Sequence, residues 1–209
     1  METAALRAQM NPHFIFNCLN SIKLYTLEND SVGAADYLTK FSRLIRLVLE
    51  NSQAEKISLQ VELETLQLYV DMEAMRFKNK FTFTIRMEDD IDPEYIDVPP
   101  LLIQPYVENA IWHGLMQKEG NGIVELFLEL SDSQQLRIEI TDDGIGRTKA
   151  AEYKTKSATR HKSFGMKVNS ERIALMNQQA KNDTIVTIED LVSADGQPAG
   201  TKVVIIIPV

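Results

Sequence analysis

A histidine close to the start of the chain sits where it could carry a phosphoryl group. In Gln9-Met10-Asn11-Pro12-His13-Phe14-Ile15-Phe16-Asn17 a helical repeat stacks Gln9, His13 and Asn17 one turn apart, and Asn20 continues this polar stripe beside Phe14, Ile15, Leu19 and Ile22. With a reference pKa of about 6.5, an imidazole keeps an unprotonated, nucleophilic nitrogen near neutral pH. Pro12 releases the Ala8 carbonyl and disturbs the helical ladder just before His13. A histidine on an amphipathic helix is equally at home as a surface or interface residue, so its chemistry depends on the rest of the chain.

Three pieces in the second half could handle an anionic ligand. In Glu108-Asn109-Ala110-Ile111-Trp112-His113-Gly114, Asn109 and His113 stand four residues apart and share a helix face. Asp142-Asp143-Gly144-Ile145-Gly146 follows a strand pattern: its glycines let the backbone approach a ligand, and the aspartate accepts a hydrogen bond. Ser163-Phe164-Gly165-Met166 opens a helix, whose free N–H groups and dipole suit phosphate. Gly200-Thr201 before the last strand is a weaker fourth piece. Taken singly, each has a plain structural explanation as a tight turn, a cap or a helix start.

Elements must bring these pieces together. The 209 residues suffice for one large domain or two small ones. Helices are expected over 3–28 and 34–51, separated by Glu28-Asn29-Asp30-Ser31 and Gly33. In the second, Ala34, Leu38, Phe41, Ile45 and Val48 form a seam suited to a helical bundle. A two-helix hairpin cannot bury both faces alone, which makes a dimeric four-helix bundle the natural completion. An extended piece at 56–58, a helix over 59–78 and an alternating strand over 81–87 follow. A helix over 100–116 contains Pro105 as a kink or restart. Strands are expected at 123–130, 135–141, 184–190 and 201–207, the last pair around Asp195-Gly196, with a helix over 165–180. This order points to an α+β layer, a mixed sheet with helices on one face. The chain opens directly in helical pattern, as though its first residues continue a longer element.

Charge and composition narrow the partners. With 22 Lys+Arg against 30 Asp+Glu the net charge is −8, which argues against a general affinity for nucleic acid or anionic lipid. The segment 147–163 departs from this: Arg147, Lys149, Lys154, Lys156, Arg160 and Lys162 against Glu152 give it +5, leaving −13 elsewhere. Such a stretch is either a solvated loop or a mobile cover over an anion. A single cysteine, Cys18, permits no internal disulfide and suits a reducing compartment. No run of 18 apolar residues and no signal-peptide pattern occurs.

Order and spacing turn the separate pieces into a resemblance. Together they resemble the N, G1 and G2 boxes and terminal Gly-Thr of the Bergerat (GHKL) ATP-binding fold of histidine kinases, gyrase, Hsp90 and MutL. The resemblance implies Asn109 on Mg²⁺ and the triphosphate, Asp142 on the adenine amino group, and Gly144 and Gly146 shaping the adenine wall. It adds Gly165, Met166 and Thr201 to the ATP site, and makes 147–163 the lid, with Lys154, Lys156, Arg160 and Lys162 as its cations and His161 beside them. In hydrolytic members a glutamate four residues before the asparagine activates water; that position is Pro105, and Glu108 points about 100° away from Asn109. This favours a kinase over an ATPase.

The whole chain resembles the LytS and YesM-type sensor histidine kinases. QMNPHFIFNCLNSI matches their H-box, followed in order by Leu59 to Glu64, Tyr69 through Arg76-Phe77, and Pro99-Pro100-Leu101-Leu102-Ile103-Gln104-Pro105-Tyr106-Val107-Glu108-Asn109-Ala110-Ile111. The resemblance implies an ATP-dependent protein-histidine kinase of a two-component system, with His13 as phosphoacceptor. Asn17 takes a positioning or phosphatase role, and the phosphoryl group passes to an aspartate of a response regulator receiver domain of the LytTR or AraC type. It also implies a homodimer, no direct contact with nucleic acid, and the cytoplasmic portion of a bacterial inner-membrane sensor anchored upstream. Residues 1–52 are read as the dimerising phosphotransfer hairpin and 53–209 as the ATP-binding domain. Departures exist: Trp112 replaces the usual lysine and leaves His113 as the polar neighbour, the G2 box keeps only Gly165, Val168 and Asn169 displace its usual asparagine, and Phe14 replaces the acidic residue that follows the histidine in other kinases. They keep open a non-catalytic nucleotide-binding module, or pseudokinase, and a GHKL-type ATPase as rivals.

Overall fold

The computed structural model describes residues 12–51, 54–131, 135–147 and 184–209, with side chains from Phe14 onward. The expected helix over 165–180 and the 148–163 part of the basic segment lie outside them. The described chain forms two compact units, one containing residues up to 79 together with 94–102, the other 80–93 and everything from 103.

The first unit is helical. Helix α1 (Pro12–Leu27) and helix α2 (Ser31–Asn51) make the hairpin. The second helix starts three residues before the expected Ala34, because Asp30 caps it: its carboxylate accepts the Gly33 N–H at 2.8 Å. Gly33 therefore sits inside the first turn, and the reversal is made by Asn29 in the left-handed region (φ 58). The expected seam also divides. Tyr37, Leu44 and Val48 are buried within the chain, with Phe41 half-buried beside them, whereas Leu38 and Leu49 are exposed.

Helix α3 (Leu59–Arg76) begins after strand β1 (Ile57–Ser58), which pairs antiparallel with β3 (Asp97–Val98). Its Leu59, Leu66, Tyr69 and Met72 are buried. Three contacts tie it to the hairpin: the Phe14 and Tyr69 rings lie 5.4 Å apart, the Tyr25 hydroxyl donates to the Met75 carbonyl at 3.2 Å, and Arg43 pairs with Glu64. Residue 52, the expected boundary, falls inside the first unit by compactness, where α3 packs with the hairpin.

The second unit is built on a mixed five-stranded sheet of order β2-β4-β5-β7-β6. Its strands are β2 (Phe81–Met87), β4 (Gly122–Leu130), β5 (Gln135–Asp142), β6 (Ile185–Val192) and β7 (Pro198–Pro208). The β2–β4 pair is parallel and the other pairs are antiparallel. Period-two alternation buries Val124, Leu126 and Leu128 on β4 and Leu136, Ile138 and Ile140 on β5. On the opposite face Arg137 bridges Glu129 (3.0 Å) and Glu139 (2.6 Å), and Lys202 joins Glu139 at 2.7 Å. The chain is therefore α+β. Among the described residues no helix is long and apolar enough to cross a membrane.

Candidate nucleotide site

The expected helix over 100–116 divides at its start and in its middle. Leu101 adopts the left-handed conformation (φ 56), costly for a branched side chain, and its N–H is held at 2.7 Å by the buried carboxylate of Glu62. Regular helix begins only at α4 (Gln104–Asn109), with Pro105 in its first turn, where a missing N–H costs nothing. Pro105 is the restart rather than a kink. Its carbonyl accepts the side-chain N–H of Asn109, which fixes the amide orientation.

After Asn109 the helix widens into a π-helix (Ala110–Leu115), closed by the Met116 N–H donating to the Ile111 carbonyl at 3.0 Å. Wide turns of this kind recur at functional sites. Such a turn holds more residues than an α-turn, so His113 is offset from Asn109 differently from the α-helical spacing on which the sequence reading rests. His113 and Trp112 are both half-buried.

Asp142 ends β5 on its inward face. It extends the alternation of Leu136, Ile138 and Ile140 by one more step, which carries a carboxylate into the interior, where it is 5% exposed. Register places it opposite Thr201 of β7. Its Oδ1 accepts the Gly144 N–H at 2.9 Å. Burial pushes its pKa up to about 6, with the neighbouring Asp143 adding to the rise, while the Gly144 N–H and the hydroxyl and N–H of Thr201 oppose it.

Glycines make room around Asp142, Gly114 and Gly144 at its carboxylate and Gly200 at its backbone carbonyl. A Cβ on Gly114 would lie 2.7 Å from Asp142 Oδ1, and one on Gly144 would lie 2.4 Å from the Gly114 Cα. The Ile145 N–H also donates to the Gly114 carbonyl at 3.2 Å, so the π-helix and the loop after β5 meet backbone to backbone. Gly200 approaches from β7, and Gly146 adopts φ 74. Asp143 faces away from this cradle: its carboxylate pairs with Lys118 at 2.6 Å and accepts the Ile123 N–H at 2.8 Å, pinning the turn after the π-helix to β4.

The residues expected at the site are thus partly assembled. Asn109, His113, Asp142, Gly144, Gly146 and Thr201 all belong to the second unit, and Asp142, Gly144 and Thr201 are in direct contact. Gly165, Met166, Lys154, Lys156, Arg160, Lys162 and His161 lie outside the described residues. Arg147, the first cation of the basic segment, is engaged in a bidentate pair with Asp190, both contacts 2.8 Å. His13 is in the first described turn of α1, and its side chain lies outside the described residues. Asn17 is only 8% exposed, on the inner side of the hairpin rather than on an open polar stripe. Gly200 belongs to the weaker fourth piece of the sequence and Gly114 closes the first, but neither motif assigns them a place against Asp142, and Lys118 carries no sequence signal.

The donor set fits a nucleotide with its metal. A buried carboxylate in a glycine-lined cradle suits an exocyclic amino group. Asn109, with its amide nitrogen held by Pro105, presents a carbonyl oxygen of the kind Mg²⁺ takes.

Comparison with known proteins gives the class. The histidine kinase family model matches residues 1–81. The protein YwpD of Bacillus subtilis is 32% identical over 174 residues, 83% of this chain and 61% of its own length. The sensor histidine kinase/phosphatase LytS of Staphylococcus aureus is 33% identical over 150 residues, 71% of this chain. A solved histidine kinase domain, from the blue-light activated kinase of Erythrobacter litoralis EL346, superposes with a TM-score of 0.49 at 15% identity, covering 95% of this chain and 96% of that one. Over residues 1–81 the chain is thus similar to the histidine kinase family. More particularly, the chain is a relative of the LytS-type sensor histidine kinases, and it spans 25% of the length of LytS.

Proposed function

We propose that the protein is the ATP-dependent autokinase portion of a two-component sensor, phosphorylating His13 and passing the phosphoryl group to an aspartate of a response regulator of the LytTR or AraC type. The single observation that carries the nucleotide half of this reading is the buried Asp142 in its cradle of Gly114, Gly144 and Gly200. In it, Asp142 accepts from the adenine amino group, and Asn109 would hold the Mg²⁺. His113, Gly146, Gly165, Met166 and Thr201 complete the pocket, and Lys154, Lys156, Arg160 and Lys162 supply lid charge. Mg²⁺ supplies charge neutralisation on the triphosphate. An imidazole nitrogen of His13 donates its lone pair to the γ-phosphorus, the bond from that phosphorus to the bridging oxygen breaks, ADP leaves, and the ring sheds its remaining extra proton to solvent. Positioning and electrostatics account for most of such a transfer.

In this reading residues 1–52 dimerise as a four-helix bundle. The exposed Phe16 (65%), Leu27 (69%), Leu38 and Leu49 support it, since they are the apolar surface a second hairpin covers. Residues 53–209 serve as the catalytic part, cytoplasmic in a bacterial inner-membrane sensor whose anchor lies upstream. The deciding experiment is incubation with γ-labelled ATP and Mg²⁺: acid-labile, base-stable label on the protein is expected. ATP consumption without label identifies an ATPase. Absence of both, with ATP still bound, identifies the pseudokinase that the Trp112 and G2 departures suggest.

Asp142 makes nucleotide affinity pH-dependent. Its ionised form accepts from the amino group, so affinity rises as pH rises through about 6. Asp142→Asn is expected to weaken ATP binding by about tenfold to a hundredfold at pH 7.5 and to flatten the pH profile, measured by isothermal titration. Without ligand the sign reverses. A carboxyl whose folded pKa is raised lends stability below its unfolded pKa and loses it as pH climbs through about 6, so the ligand-free Asn variant melts higher than wild type at neutral pH.

Asn17 takes the phosphatase role in this proposal, in keeping with the kinase/phosphatase designation of the LytS relative. Asn17→Ala is expected to slow dephosphorylation of the phosphorylated regulator by about tenfold with autophosphorylation intact. A regulator losing phosphate at the wild-type rate would remove Asn17 from the mechanism.

A further inference from the structure

Helix α1 is held to its unit in an unusual way. Among the described residues its buried positions are Asn17, Cys18 and Ser21, all small or polar; Phe14, Ile15, Ile22 and Tyr25 are half-buried, and Phe16, Leu19, Leu24 and Leu27 are exposed. Little apolar area therefore fixes its rotation about its own axis within one chain. Specific contacts take over that task. Tyr37 of α2, fully buried, stands against Cys18 and Ser21, with its ring 6.0 Å from that of Tyr25. The Tyr25 hydroxyl reaches the Met75 carbonyl of α3 at the far end. At the near end the ring of Tyr69, 1% exposed on α3, packs on Phe14 with centroids 5.4 Å apart and planes inclined by 40°. Among the described residues this is the ring contact next to His13, and Phe14 follows the histidine directly on the same helix.

We propose that Tyr69 is a positioning residue for phosphoryl transfer: its ring, packed on Phe14, sets the rotation of the helical turn that presents His13. The proposal rests on the kinase reading above. Tyr69 is buried within the helical unit and acts through Phe14, so its effect belongs in the rate of transfer and not in ATP affinity. A helix with a weakly apolar inner side keeps its fold when one such contact is lost but no longer keeps one rotation, and transfer to an imperfectly aimed imidazole is slow.

The test uses the whole purified protein with Tyr69→Ala, Tyr69→Phe, Phe14→Ala and the Tyr69→Ala/Phe14→Ala double variant. Tyr69→Ala is expected to lower the labelling rate at saturating ATP on the order of tenfold with the ATP KM within about twofold. Tyr69→Phe keeps the ring and labels at the wild-type rate, and the double variant is no slower than the slower single variant because both remove one contact. A raised KM at unchanged maximal rate, or losses that multiply in the double variant, overturns the proposal. Should Tyr69→Ala fail to fold, Tyr69→Leu removes the ring while filling its space and carries the same expectation. Wild-type protein that takes no label would fail the kinase reading instead. Hydrogen exchange of amides 14–18 then decides the positioning role separately: exchange about tenfold faster in Tyr69→Ala than in Tyr69→Phe upholds it, and equal rates sink it.

Discussion

His13→Gln is expected to reduce acid-labile labelling to background, a loss of a thousandfold or more, while ATP binds within about twofold of wild type. Both halves of that outcome follow from where the residues lie. His13 is on α1 in the helical unit, and Asn109, Asp142 and Thr201 belong to the sheet unit, so in the proposed mechanism the substitution removes the phosphoacceptor and leaves every residue of the cradle unchanged. Glutamine has good helix propensity and stays polar, which leaves α1 intact. Labelling of the other two histidines, His113 or His161, would show as residual signal. Label at the wild-type level in His13→Gln, mapped by peptide digestion, would remove His13 from the mechanism whatever its neighbourhood suggests.

Gly200→Ala has the second large effect, through the backbone. A Cβ at this position would lie 1.8 Å from the Asp142 carbonyl oxygen, and the residue adopts φ 129, a conformation side chains avoid. Neither strand can yield freely, because β5 and β7 are paired along their length and Asp142 is registered on Thr201, the next residue. The substitution is expected to destabilise the sheet unit by roughly 3 to 4 kcal/mol, read by urea denaturation. What survives folding should bind ATP poorly even at saturating stabiliser, since the Thr201 hydrogen bonds to the Asp142 carboxylate are displaced together with the strand. Gly196→Ala is the control: it also has positive φ, yet nothing lies within 4 Å of its would-be Cβ, so its cost is confined to local strain.

The parts of this fold that could be read from sequence share a physical trait. They follow from periodicity or from a local hydrogen bond. The strands β2, β4 and β5 announce themselves by two-residue alternation, and the inward placement of Asp142 is that same alternation carried one step past Ile140. Other features were beyond reach because tertiary contacts decide them. Gly33 looked like a break until Asp30 capped the helix across it. Leu101 reads as ordinary helix, and only the Glu62 carboxylate, thirty-nine residues away in sequence, allows it to turn left-handed. The change in texture after Gln53 is visible in the residues, whereas the contacts that α3 makes back to α1 and α2 through Tyr69, Met75 and Glu64 are tertiary. At the candidate site the motif residues were legible as types. The cradle was not, since close approach of Gly114 to Gly144 is a property of two backbones that neither motif specifies alone.

The π-turn between Asn109 and Gly114 has a further meaning when regarded as phase. Asn109 and Gly114 are carried by one continuous helical segment, so the angle between the Asn109 amide and the wall of the carboxylate cradle is set by how many residues the turn holds. A regular α-turn would rotate one against the other by a large fraction of a circle. The spacing of these two positions is therefore a fixed gear ratio: side chains along Ala110–Leu115 can be exchanged one at a time, but inserting or deleting a single residue there uncouples the two halves of the site at once.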